Sequence, residues 1–207
     1  MRSRDRHGAA LALGGWALVA TMAQAVPVQI NPPPLGFNTG ATGIEVQQPM
    51  GQSFIANGDS VHTVELQLLN MNISLELSQD RLVTLDLYEG VGFQGAHLAS
   101  QTVDVDRILG RLAGTQGQVD FALGGVAVVP GQPYSFQLRA ATARFGSVWF
   151  AGNAYADGHA ILQGEAFDDP DLYFGIRAVS EPCSVLLLTA GLVLLRARHV
   201  TNNRKAP

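Results

Sequence analysis

The chain has 207 residues, 23 of them glycine and 10 proline, with 14% charged and 47% hydrophobic. Low charge with abundant glycine and alternating apolar residues argues against a disordered chain and for an all-β globule, and the single cysteine, Cys183, excludes an internal disulfide. Between residues 26 and 180 stand 15 acids against six arginines and no lysine, which excludes for the body the cationic surface that nucleic acid requires.

Residues 1–25 read as a secretory signal helix. Three arginines precede an apolar run over residues 8–22, and Ala23 and Ala25 supply the small side chains that signal peptidase accepts, so cleavage is expected after Ala25. A serine separates Arg2 from Arg4, so no twin-arginine pair is present and the general secretory route is expected. An amphipathic or buried helix is the alternative. Residues 26–50, rich in proline and glycine, read as an extended arm.

From residue 51 to 179 the pattern is period two, and one β-sandwich domain is expected there. Val64, Leu66 and Leu68 share a face with Glu65 and Gln67 opposite; Val83, Leu85 and Leu87 oppose Thr84, Asp86 and Tyr88. Val119, Phe121 and Leu123, then Tyr134, Phe136 and Leu138, then Leu172, Phe174 and Ile176 repeat the alternation. One packed and one wet face is the antiparallel pattern. Turn signals at Asn57-Gly58-Asp59, Gly90 to Gly95, Gly124-Gly125, Pro130-Gly131 and Asp157-Gly158 separate the runs. The segment 103–114 is the one place for a short helix. The stretches "GQSFIANGDSVHTVELQL", "LYEGVGFQGAHLASQTVDV", "VVPGQPYSFQLRA" and "GNAYADGHAILQG", followed by "DLYFGIRAV", together resemble a jelly-roll module of exported bacterial surface proteins. That resemblance implies a fold and a surface-binding role rather than a reaction.

For catalysis the residues offer little. A glycosidase needs two carboxylates on one face of a cleft, whereas Asp86 and Glu89 fall on opposite faces of a strand. Asp104 and Asp106 would share a strand face, read as a solvated edge, and Gly146-Ser147-Val148 lacks the trailing glycine of a nucleophile elbow. His62, His97 and His159 are dispersed and read as surface residues without metal-ligand spacing. The expectation is a protein that is not an enzyme, with glycan hydrolase the least favoured class. Asp168, Asp169 and Asp171, with Asp157 nearby, form the one carboxylate-rich segment; calcium, which takes six to eight oxygens, is one reading, and a hydrated Asp169-Pro170 turn is the other. Trp149, Tyr88 and Tyr173 are the aromatics that alternation places on wet faces, and they are the candidate glycan platform, provided the sheet order brings them together.

The C-terminal segment 180–207 carries Ser180-Glu181-Pro182, an uncharged apolar run over 183–195, and then Arg196 and Arg198. Proline suits the first turn of a helix, arginines can snorkel to a lipid interface, and basic residues after an apolar run orient a span with that end inside. A transmembrane helix over 183–195 is expected. The Glu-Pro dipeptide, apolar helix and arginine cluster resemble the PEP-CTERM sorting tail, whose own tripeptide is Pro-Glu-Pro. The resemblance implies an exosortase-like partner that reads Ser180, Glu181 and Pro182 and cuts there. It also implies an exported protein of a Gram-negative bacterium, held transiently in the inner membrane and then passed to the envelope or the extracellular matrix. Exopolysaccharide is the expected contact of the body, and a secreted calcium-dependent carbohydrate-binding module is the alternative.

Overall fold

A computed structural model describes residues 28–29, 39–71, 81–142 and 144–179. The alternating runs form strands that pair antiparallel throughout, in two sheets that share one hydrophobic core. The seven-stranded sheet holds β1 (Val28–Gln29), β2 (Thr39–Gly43), β4 (Ser60–Asn70), β7 (Gln116–Ala127), β9 (Phe145–Phe150), β12 (Asp171–Leu172) and β13 (Phe174–Val179). The six-stranded sheet runs β11 (Glu165–Phe167), β10 (Ala160–Leu162), β3 (Met50–Ile55), β8 (Pro133–Ala140), β5 (Leu82–Glu89) and β6 (His97–Asp104). One four-residue helix, α1 (Asp106–Leu109), links β6 to β7 and lies inside the segment expected to allow one.

The expected inward sets are the ones that pack. Val64, Leu66, Leu68, Val83, Leu85, Leu87, Val119, Phe121, Tyr134, Phe136, Leu138, Leu172, Phe174 and Ile176 are all buried, and only Leu123 of those named is less than fully covered. Removal of each such side chain from water stabilises the fold by about 1.5–3 kcal/mol before entropy is counted. Phe136 of one sheet meets Phe174 of the other edge to face at 5.6 Å between centroids, which marks the middle of the sandwich.

The long strand β4 organises the seven-stranded sheet. One of its edges is covered by β7, while the other is shared, by β13 against its first half and by β9 against its end. The run 171–179, which alternation presents as one strand, is therefore split. Asp171 and Leu172 pair with β9, and Phe174 onward pairs with β4. Between them the Tyr173 N–H donates to the Val148 carbonyl and its own carbonyl accepts from the Gln67 N–H, so the chain passes from one partner to the other without losing hydrogen bonds. Part of the stretch read as an arm enters the sandwich: β2 pairs along β9, and Ile44 is fully buried.

Asp104 and Asp106 do not share a strand face as expected. β6 ends at Asp104 and α1 starts at Asp106, which separates their partners: Asp104 meets Arg81 and Arg107, and Asp106 meets Arg111 and the buried Arg144 at 2.5 Å. Among the described residues no helix is long and apolar enough to cross a membrane. The signal segment with Ala23 and Ala25, and the tail with Ser180, Glu181, Pro182, Arg196, Arg198 and the expected span 183–195, lie outside the described residues.

Candidate functional site

The face of the six-stranded sheet that points away from the core carries a group of aromatic and charged side chains. On β5, Val83, Leu85 and Leu87 turn inward, so Thr84, Asp86 and Tyr88 turn outward. On β8, in register with them, Ser135 lies opposite Tyr88, Gln137 opposite Asp86 and Arg139 opposite Thr84. On β6, Ser100 lies opposite Asp86 and Thr102 opposite Thr84, and the two threonine hydroxyls are 2.8 Å apart.

His97 joins this face through an irregularity. The β5–β6 register runs evenly up to Leu87 opposite Ala99 and then shifts, so that Tyr88 lies opposite His97 and Leu98 is the extra residue. Leu98 packs toward the core instead. In an even ladder Leu98 would stand beside Tyr88; the bulge puts an imidazole there. The His97 ring then meets the Tyr88 ring at 5.2 Å in an edge contact, with Nε2 3.4 Å from Asp86 Oδ1.

The turn between β5 and β6 completes the group. The Gly92 N–H donates to Ser135 Oγ, and that hydroxyl donates to the Gly90 carbonyl, which fastens the turn to the sheet. Phe93, carried on this turn, lies 5.9 Å from the Tyr88 ring and next to Gly51 of β3. Three rings, Phe93, Tyr88 and His97, thus follow one another beside a charged pair.

That pair is Asp86 and Arg139. Arg139 Nε donates to Asp86 Oδ2 at 2.6 Å. Burial alone would raise the Asp86 pKa, but the hydrogen bonds from Arg139 and Ser100, the guanidinium charge and His97 outweigh it and hold the carboxyl below its usual range. Arg139 is shifted up by the same hydrogen bond, and burial near Asp86 raises Tyr88, so its phenol stays protonated. Asp86 is therefore an anion at neutral pH, at the base of the face. The Asp86 side chain is only 3% exposed, whereas Arg139 is 52% and His97 49% exposed.

No protein-family model matches this chain, and no curated protein matches it.

The sequence-expected residues fall in different places. Of the three aromatics, Tyr88 belongs to this face, but Trp149 and Tyr173 belong to the seven-stranded sheet. Trp149 packs partly against the core, and its ring covers Gly40 on β2 so closely that a methyl there would come within 2.3 Å. Tyr173 sits against Phe150 at 5.0 Å. The sheet order does not join the three into one platform. Phe93, His97 and Arg139 take the places beside Tyr88 instead. Arg139 was open to the same parity argument as Asp86, since it follows Leu138 on an alternating strand; His97 was not, because its position depends on the bulge.

The four acids weighed for calcium are likewise parted. Asp168 pairs with His159 Nδ1 at 2.7 Å, Asp169 accepts from the Gly152 N–H, and the fully buried Asp171 accepts from Gln52 Nε2 at 2.8 Å and the Tyr155 N–H at 2.7 Å. Asp157 lies in the 151–159 loop, near enough to Tyr155 to raise its pKa, although burial is the larger cause. Among the described residues no three His, Cys, Asp or Glu side chains converge as a metal site. Asp171 ties the sheets together: Gln52, on β3, also accepts from the Leu172 N–H of β12 through its amide oxygen.

Proposed function

We propose that this chain is a non-enzymatic exported surface or matrix protein whose β-sandwich, arranged as a jelly roll, binds glycan on the outer face of its six-stranded sheet. The observation that carries the reading is the run of Phe93, Tyr88 and His97 rings beside the Asp86–Arg139 pair on a wet sheet face. Sugar rings offer apolar faces that rest on aromatics and hydroxyls that seek fixed polar groups, and a sheet face supplies both with little loss of side-chain freedom.

Binding without reaction is supported by the state of the carboxylate beside the rings. Asp86 is held ionised, which does not suit proton donation, and its buried oxygens are engaged by Arg139, His97 and Ser100, which does not suit attack. Calcium has no part in the proposal, because Asp168, Asp169 and Asp171 are each engaged by a different partner. The ends of the chain supply the address. A signal segment cleaved after Ala25 and a tail read at Ser180-Glu181-Pro182, with an apolar run before Arg196 and Arg198, would deliver the body through the inner membrane to the envelope.

The binding half is tested by titrating the purified full-length chain against a panel of polysaccharide fragments. Tyr88→Ala is expected to weaken binding about tenfold, as loss of roughly 1.4 kcal/mol of ring contact implies; equal affinity for wild type and variant would overturn the assignment of this face. The sorting half is tested by cell fractionation after deletion of residues 183–195. Loss of membrane retention and of C-terminal processing is expected, and unchanged retention would refute it.

A further inference from the structure

We infer that the sugar taken by this face is an acidic one, with a carboxylate received by Arg139; the inference rests on the glycan reading above and adds the chemical class of the ligand. It follows from which atoms are exposed. The carboxylate beside the rings, Asp86, lies beneath the surface with its oxygens engaged by Arg139, His97 and Ser100. Asp104, further along the same face of β6, is paired with Arg81 and Arg107, whereas the Arg139 guanidinium is about half exposed. A ligand arriving beside the rings therefore meets an exposed guanidinium, while the carboxylate next to it is already engaged.

A guanidinium has five N–H donors and no acceptor. Among the described residues Asp86 is the hydrogen-bond partner of Arg139, through Nε, which leaves the two terminal nitrogens as a fork toward solvent. That fork matches a carboxylate, whose two oxygens accept and donate nothing, and charge-assisted bonds of this kind are roughly twice as strong as neutral ones. Sugar hydroxyls are a poorer match, because each brings a hydrogen that needs an acceptor. Gln137, in register between Asp86 and Gly51, supplies one amide for such hydroxyls. Asp86 acts as a positioning residue: it fixes the guanidinium plane by its Nε while staying out of contact with ligand.

The excess of acids in the body opposes this choice only at a distance. At physiological ionic strength charges beyond about 8 Å are largely screened, and within the cluster Asp86 and Arg139 neutralise each other. Repulsion of a long polyanion is thus a matter of approach, and a short acidic oligosaccharide is the fitting ligand.

The test compares trigalacturonic acid with its methyl ester, which keeps the rings and hydroxyls but lacks the charge, by calorimetric titration of the full-length chain. At least tenfold tighter binding of the acid is expected. Arg139→Gln is expected to bring the ratio of the two affinities to about one while ester binding persists, and Arg139→Lys to give an intermediate ratio, with melting temperatures confirming that both variants fold. Equal affinities in the wild type, or a ratio unchanged in Arg139→Gln, would overturn the acidic assignment while leaving glycan binding intact. Binding of neither the acid, the ester nor any neutral oligosaccharide would overturn both.

Discussion

At Gly51 a single hydrogen stands where no other side chain fits. A Cβ built there would lie 1.8 Å from the Phe136 carbonyl oxygen and 3.0 Å from the Phe93 ring. The first of these neighbours is backbone in the middle of the sheet and cannot swing away. Gly51→Ala must therefore push β3 from β8, and overpacking of this kind costs about 1–3 kcal/mol. The expected result is a lower urea midpoint together with weaker glycan binding, since Phe93 rests beside the same atom. A midpoint equal to wild type would show that the two strands are not held so closely.

Among the elements, the link between β3 and β12 joins the two sheets through polar groups rather than through the apolar core. Gln52 is wholly buried; its amide nitrogen donates to Asp171 and its amide oxygen accepts from the Leu172 N–H. Gln52→Leu would keep the bulk but orphan a buried N–H and remove one donor from a buried carboxylate, at a cost of about 2–4 kcal/mol. Denaturant unfolding measures this directly, and an unchanged midpoint would mean that the link is incidental. Such features mark where sequence reading stops. Alternation along Val64 to Leu68, Val83 to Leu87 and Tyr134 to Leu138 reveals the inward faces, because a strand with one packed side has no other way to arrange them. It also places Asp86, Tyr88 and Arg139 outward. It does not reveal the switch at Tyr173, since two short strands in line alternate just as one long strand does. Nor does it reveal the extra residue at Leu98, which alone brings His97 to Tyr88, or that Trp149 and Tyr88 lie in different sheets. Those depend on which strands become neighbours, and long-range pairing leaves no mark in a local pattern.

For the molecule as a whole, two buried carboxylates pull stability in opposite directions with pH. Burial pushes the Asp171 pKa up, despite the N–H groups of Tyr155, Gln52 and Ala154 that favour its ionised form, and the charge of Asp169 adds to the rise. The folded state then holds this proton more firmly than the unfolded chain, so stability is gained as pH falls through the raised value toward the unfolded one near about 3.9. Asp86 is the reverse: its pKa is depressed, so its contribution is complete above the unfolded value and is lost as pH falls below it toward the folded one. The acid-rich body reinforces the first trend, because partial neutralisation relieves the mutual repulsion of its carboxylates. The urea midpoint should accordingly rise as pH falls toward the unfolded carboxylate value near about 3.9 and drop once pH falls below it. Asp171→Asn should flatten the upper limb, since no proton is then taken up there, and Asp86→Asn the lower one, each leaving the other limb in place. A midpoint that declined steadily from pH 7 downward would contradict the assignment of Asp171 as the carboxylate that folding drives toward its neutral form.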